Sequence, residues 1–310
     1  MPPIVTNLTS PTVRMPGAKT PVTLWKGDCA DFLERLPRAP LFDLVITSPP
    51  YNVGKSYERR NQRSLEDYLA WQGRIFRACV ERLKPTGSIC WQVGTHITGR
   101  SRSTSVLPLD ILLYPHFAAA GATLRNRIVW QFGHGLHAKH RFSGRHETVL
   151  WYTLTNDYVF NLDAVRVPQK YPGKRSYRPG EGHGRYSGNV LGKNPSDVWM
   201  DIPNVKGKHL EKTDHPCQFP VALAERFING LTNADALVFD PFAGVASSGV
   251  AALCNKRRFW GCEISAAYVK IGLDRLAQAM AGTVAVRPLE KAIFDPALAG
   301  ADLRYRALEV

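Results

Sequence analysis

The sequence predicts an α/β domain built on a mostly parallel sheet, with an antiparallel hairpin at the sheet edge and a loop-rich insert. Three observations carry that prediction. Two short apolar runs, Leu41–Ile46 and Ala236–Phe239, stop abruptly at the breakers SPPY and DPFAG, as strands buried on both faces do. Stretches of helical period alternate with such runs in both halves of the chain. Between the halves, from about Thr155 to Lys212, composition turns to Gly, Pro, Asn, Tyr, Lys and Arg with no long helical pattern.

Residues 1–20 are rich in Pro, Thr and Ser and read as a flexible arm; residues 21–154 form the first half of the domain. Val22–Trp25 is a short strand ending at Gly27 and Asp28, and Asp31–Leu36 is a helical turn. Leu41–Ile46 is the central strand. Ser48, Pro49, Pro50 and Tyr51 fall just past its carboxyl end, where open α/β sheets bind ligands. The two prolines fix φ and donate no backbone hydrogen bond, so carbonyls are left to accept. A site that takes hydrogens from an exocyclic amine needs such acceptors, here the Ser48 hydroxyl and the Pro49 carbonyl, with Tyr51 as a flat surface for a base. A plain proline turn leaving a core strand is the alternative. Asn52–Ser64, with Lys55, Arg59 and Arg60, is a basic loop beside this point.

Leu65–Leu83 has helical spacing and is stopped by Lys84, Pro85 and Gly87, and Ser88–Val93 is the next strand, completing a right-handed βαβ unit. Pro108–Ala120 is a second helix. Arg125–Phe132 and Thr148–Thr153 read as an antiparallel edge pair joined by a loop carrying His137, Lys139, Arg141 and Arg145. Residues 155–212 are the insert, where Lys174, Arg175, Arg178, Arg185, Lys206 and Lys208 are candidate phosphate contacts; so long a loop inside a compact domain is usually functional. Residues 213–282 form the second half: a helix over Phe219–Leu231, the Ala236–Phe239 strand, a helix through Leu253, a strand over Arg258–Ile264 and a helix over Ala266–Met280. Residues 283–310 are a less patterned C-terminal extension.

In 310 residues, 40 Lys plus Arg face 26 Asp plus Glu, a net charge of +14 that points to a polyanion, nucleic acid first. No apolar run approaches a membrane span and no signal core is present, so a cytoplasmic protein without a membrane partner is expected. Six scattered cysteines without a Cys-x-x-Cys pair indicate neither zinc nor a disulfide framework. His134, His137 and His140 could suggest a metal, but beside Lys139, Arg141 and Arg145 they fit phosphate better, and no metal site is expected.

The second candidate site begins at Asp240, Pro241, Phe242, Ala243 and Gly244, where a strand opens into a helix and an open sheet holds the sugar of a nucleotide-like ligand. Glu263, about twenty residues on, ends the following strand, where an acid accepts from both ribose hydroxyls. Neither G-x-G-x-x-G nor G-x-x-x-x-G-K-[ST] occurs, so the expected cofactor carries adenosine without a phosphate chain, which S-adenosyl-L-methionine satisfies.

TSPPYN at Thr47–Asn52, followed by the insert and then FDPFAGVASSG at Phe239–Gly249, resembles an amino-type DNA methyltransferase of the circularly permuted β group. That resemblance implies a Rossmann-like methyltransferase fold, circularly permuted, with residues 155–212 as the target-recognition insert. It implies catalysis at Ser48–Tyr51 and cofactor contacts from the second motif, Ser247 and Ser248 included, and from Glu263 and Ile264. HPCQFP at His215–Pro220, with His215, Gln218 and Pro220, resembles the segment lying across the methionine end of the cofactor; GDC, with Asp28, resembles the segment contacting adenine. Permutation further implies that the strand ending at Asp28 lies beside the one ending at Glu263. The implied reaction is direct methyl transfer to a base flipped out of duplex DNA. SPPY is commoner among cytosine-N4 enzymes of this family, so N4 is expected over N6 of adenine. A cognate restriction endonuclease and a homodimer are compatible with the resemblance. Rival readings are an RNA or protein methyltransferase, a non-catalytic nucleic-acid-binding protein, and a Cys217 nucleophile, against which no Glu-Asn-Val segment follows.

Overall fold

The computed structural model describes residues 12–14, 22–52, 63–99, 101–133, 135, 137–180, 182–291 and 293. β1 (Thr12–Arg14) runs antiparallel to β2 (Val22–Lys26), the first strand of the parallel region. Asp28 caps α1 (Cys29–Glu34), its Oδ1 accepting the Ala30 amide at 2.8 Å. β3 (Phe42–Thr47) is buried except at Asp43, which is half-buried. The Asp43 carboxylate is nonetheless committed, to Lys84 Nζ at 2.8 Å and to the Leu237 amide at 2.8 Å. Ser64 caps α2 (Leu65–Val80), accepting the Asp67 amide at 3.1 Å.

β4 spans Leu83–Val93. The helix expected over Leu65–Leu83 therefore ends at Val80, and the strand expected from Ser88 begins at Leu83. Arg82 is the cause. Its guanidinium is buried against the Leu36 and Ala78 carbonyls, at 3.1 and 2.8 Å, while its own carbonyl accepts the Leu41 and Phe42 amides. That delivers Leu83 to pair with Phe42. Pro85 is tolerated because the ladder shifts register between Phe42 and Leu44.

β5 (Thr95–Thr98) and β6 (Ser105–Pro108) pair apart from the main sheet and lead into α3 (Leu109–Ala118). β7 (Thr123–Gln131) and β8 (His146–Thr153) are antiparallel, with β8 beside β4. The insert contributes a hairpin, β9 (Arg175–Arg178) with β10 (Gly182–Tyr186), and then β11 (Val198–Trp199). β11 pairs in parallel with Val129 and Trp130, so the β7–β8 pair expected at the edge has one further strand outside it. Two residues are too few for periodicity to reveal. Packing holds them: Trp199 lies 4.7 Å from Phe227 between ring centroids, and Asp201 accepts from Arg226 at 2.9 Å. α4 (Val221–Leu231), β12 (Leu237–Asp240), α5 (Ser247–Cys254), β13 (Arg258–Glu263) and α6 (Ala266–Ala281) complete the chain of elements.

The nine strands of the main sheet run β1-β2-β13-β12-β3-β4-β8-β7-β11. β2, β13, β12, β3 and β4 are mutually parallel, so Lys26, Glu263, Asp240, Thr47 and Val93 end at one edge. β2 pairs with β13 through Lys26 and Glu263, as the permuted order requires. From β12 the chain proceeds outward to β13, and from β3 it proceeds the other way to β4. The order reverses between β12 and β3, and open sheets bind ligands at such a switch. Each face carries its own core: Leu44, Ile46, Phe227, Val250 and Phe259 on one, Phe42, Val45, Phe76, Trp91 and Phe239 on the other. Stacked rings tie the second together, Phe42 to Phe239 at 4.4 Å and Phe76 to Phe117 at 4.0 Å.

Among the described residues no helix is long and apolar enough to cross a membrane, and no group of three metal-ligating side chains occurs. All six cysteines are free thiols, four of them buried.

Candidate active site

The switch point is sealed by one carboxylate. Thr47 Oγ1, at the end of β3, donates to Asp240 Oδ1 at 2.6 Å, and Ser248 Oγ donates to Oδ2 at 2.5 Å. The Phe242 amide adds a third bond at 3.0 Å. Asp240 is fully enclosed, and burial pushes its carboxyl up to about 6 against the pull of those donors. Asp240 thus ties the end of β3 to the segment between β12 and α5, with both carboxylate oxygens already occupied.

Past Thr47 the chain is pinned by Pro50, whose carbonyl accepts from Tyr68 Oη at 3.0 Å and from Gln72 Nε2 at 3.4 Å. Among the described residues no donor is recorded on the Pro49 carbonyl. Ser48 is half-buried and lies 2.9 Å from Tyr51 Oη. Tyr51 Oη donates to Glu147 Oε2 at 2.9 Å, and Gln92 Nε2 donates to the same oxygen. The Tyr51 ring rests on Gly94, where a Cβ would meet its carbons at 2.7 Å. Glu147 was not legible as a site residue, although an acid ahead of the apolar run TVLWYT is the kind of buried polar group that signals one. Burial pushes its carboxyl up, and burial likewise pushes the Tyr51 hydroxyl well up, beside the Glu147 charge.

On the other side of the switch, Gly244 adopts φ +52°, and its amide donates to Glu263 Oε2 at 3.0 Å. The Ser265 amide donates to Oε1 at 2.6 Å. Burial raises the Glu263 carboxyl, partly offset by these amides. Ile264 beside it is 62% exposed. His215 faces Gly244, 3.4 Å from where a Cβ would stand, and packs on Tyr268 with ring centroids 4.5 Å apart. Burial, with Lys212, Arg275 and Lys206 nearby, lowers its imidazole to about 4, so the ring is neutral at pH 7.

The remaining expected cofactor residues are turned inward. Phe242 packs on Trp71 and Trp91, at 5.4 and 6.1 Å. The Ala243 amide is held by the Cys262 carbonyl, Pro241 is buried, and Ser247 Oγ accepts from Arg275. Gln218 braces its own loop, donating to the Glu211 carbonyl at 2.8 Å and accepting from Thr213; Pro220 caps α4. Cys217 is exposed, and its amide donates to His215 Nδ1 at 3.2 Å. Asp28 caps α1 at the same sheet edge.

Of the basic candidates, Lys55, Arg59 and Arg60 lie outside the described residues. Asn52 bridges the ends of that segment through the Arg63 carbonyl and amide, at 2.8 and 3.0 Å. His137, Lys139 and Arg141 are exposed and Arg145 half-buried in the loop between β7 and β8, beside a fully exposed Phe142. Lys174, Arg175 and Arg185 are exposed on or beside the β9–β10 hairpin, where Arg175 stacks on Tyr186 at 4.7 Å, and Arg178 ends β9. Lys206 and Lys208 are exposed; Lys206 Nζ donates to the Pro216 carbonyl at 3.1 Å and is among the charges acting on both Glu147 and His215.

A switch point with the SPPY strand end on one side and the Glu263 strand end on the other is the arrangement expected of a Rossmann-like nucleic-acid methyltransferase. The chain belongs to the N6/N4 DNA methylase family, whose model matches residues 42–274. It is 45% identical over 254 residues to the Type II methyltransferase M.BglII of Bacillus subtilis, covering 82% of this chain and 68% of that one. It is 32% identical over 263 residues to the DNA adenine methyltransferase YhdJ of Escherichia coli K12, covering 82% of each. A putative DNA modification methylase of Thermus thermophilus, solved with S-adenosyl-L-methionine, superposes with TM-score 0.58 at 23% identity, over 85% of this chain and 98% of that one. The protein is a DNA methyltransferase, which removes the RNA and protein readings.

Proposed function

We propose that the protein methylates the exocyclic N4 of cytosine at a specific site in duplex DNA, on a base flipped into the switch-point pocket. Ser48 carries this reading, since SPPY is the form of the motif commoner among N4 enzymes. N6 of adenine is the alternative, favoured by the similarity to YhdJ. The residues present suit the cofactor: the left-handed turn at Gly244 leaves space before His215, Glu263 ends its strand with a carboxylate, and Ile264 is exposed beside it. Glu263 would hold the ribose hydroxyls, Ile264 and the Asp28 segment the adenine, and the His215 loop the methionine end. A neutral His215 adds no repulsion toward a cation there, while Lys212, Arg275 and Lys206 suit a carboxylate. When bound, the cofactor supplies an electrophilic methyl group on a sulfonium. Ser48 and the Pro49 carbonyl accept the amine hydrogens as positive charge builds on nitrogen, and Tyr51 stacks on the base.

The exposed cations of the β7–β8 loop and the insert, together with Lys55, Arg59 and Arg60 of the basic segment before α2, are assigned to DNA phosphates. Similarity to a Type II methyltransferase supports a cognate restriction endonuclease as partner. Digesting methylated DNA to nucleosides and weighing them by mass spectrometry decides the target: N4-methyldeoxycytidine is expected, and N6-methyldeoxyadenosine would replace this reading with the alternative.

A further inference from the structure

We propose that Glu147 is a positioning residue that, acting through Tyr51, holds the Ser48 hydroxyl as a pure acceptor toward the target amine. The inference rests on the reading that Ser48 accepts an amine hydrogen, and it concerns what makes a serine fit for that task. A hydroxyl carries one hydrogen and can either donate or accept. Left alone, Ser48 could turn its hydrogen toward the amine and oppose it. The observed chain removes that choice.

An ionised carboxylate only accepts, so the single hydrogen of Tyr51 goes to Glu147 Oε2, 2.9 Å away. The Tyr51 oxygen is then left as an acceptor for its other neighbour, Ser48 Oγ at 2.9 Å. Ser48 must spend its only hydrogen there, and both its lone pairs remain for the base. Gln92 Nε2, donating to the same Oε2, keeps that oxygen fixed. Gly94 lets the Tyr51 ring lie close enough to span the two partners. Negative charge is thus placed two hydrogen bonds behind the Ser48 hydroxyl.

Protonating Glu147 lets the chain invert: the acid donates to Tyr51, Tyr51 to Ser48, and the Ser48 hydrogen turns to the amine. The groups that set this titration face Glu147 from several elements: Tyr51 after β3, Gln92 on β4, Lys206 from the insert and the adjacent His146. Burial raises the Glu147 carboxyl, and those four pull it back. The ionised form is the active one, so turnover falls as pH drops through that raised value.

The test compares single-turnover methylation by the full-length protein and its Glu147→Leu, Glu147→Gln, Tyr51→Phe and Ser48→Ala variants across pH, with cofactor affinity measured by calorimetry. Glu147→Leu and Tyr51→Phe should each lose about 10²-fold in kcat with cofactor Kd unchanged, and the double variant should lose no more. Glu147→Gln keeps a carbonyl oxygen that accepts from Tyr51, so it should recover about tenfold over Leu and lose the acid limb of the profile. Glu147→Leu turning over like the wild type, or an acid limb that persists unchanged in Glu147→Gln, overturns the inference. Should Glu147→Leu fail to bind cofactor, Tyr51→Phe decides by the same criteria. Full turnover by Ser48→Ala would instead sink the underlying reading of Ser48, a distinct outcome.

Discussion

Asp240 offers a quantitative check on the switch-point lock. Its carboxyl is raised to about 6 by burial, above the usual value near 3.8. A carboxyl raised in the folded state contributes stability while protonated, below its unfolded value, and that contribution is lost as pH rises through the folded value. A shift of about two units corresponds to about 3 kcal/mol in total, of which about 2 is lost between about pH 4.5 and about pH 7.5. Other groups titrate in that window, so the measurement is a difference. Asp240→Asn keeps the oxygen that accepts from Thr47 and Phe242, and its amide can donate to Ser248, whose hydroxyl rotates to accept. Urea unfolding of both proteins at the two pH values should show the variant gaining about 2 kcal/mol relative to wild type from low to high pH. Parallel stabilities across the range would mean that Asp240 is not the enclosed carboxylate described.

Gly94→Ala should drive the Tyr51 ring back by about 1 Å from a 2.7 Å clash and cost about 10²-fold in kcat, with cofactor Kd unchanged; wild-type kcat would show that ring placement is unimportant. Glu263→Ala should weaken S-adenosyl-L-methionine binding about 10- to 100-fold by calorimetry, the loss of charge-assisted bonds, and unchanged affinity refutes the ribose assignment. Neutralising Lys174, Arg175 and Arg185 together should lower the log–log salt slope of DNA binding by about 2–3 and spare cofactor binding. An unchanged slope removes the hairpin from the DNA surface.

Much of this architecture was legible because apolar runs ending at breakers carry their own punctuation. Leu41–Ile46 and Ala236–Phe239 appear as β3 and β12, each within a residue, and they prove to be sheet neighbours at the point where strand order reverses. Leu83 was misplaced because its apolar side chain continues the helical period; what moves it into a strand is the burial of Arg82, a tertiary event no local pattern encodes. The two-residue β11 depends wholly on the packing of Trp199. In the site, TSPPYN and DPFAG marked the two loops. The identity of what each side chain touches was hidden, and Asp240 is the clear case: expected among the cofactor contacts as the first residue of DPFAG, it has its oxygens used up by Thr47, Ser248 and a backbone amide.

Glu147 marks the opposite limit, a residue 96 positions from Tyr51 whose role exists only once β8 is laid beside β4. Its place in the sheet also bears on why position 48 can be a serine at all. An acid directly against the amine would accept strongly, but it would also sit beside the ring nitrogen of the flipped base, where its lone pairs repel an acceptor. Moving the charge back along Tyr51 leaves a small neutral hydroxyl at the contact, polarised from behind and fixed in direction by the carboxylate. Burial then makes the arrangement consequential. In a solvated loop water would satisfy Ser48 from any side, whereas at the half-buried Ser48 the orientation of a single hydroxyl hydrogen decides whether the strand end invites the amine or opposes it.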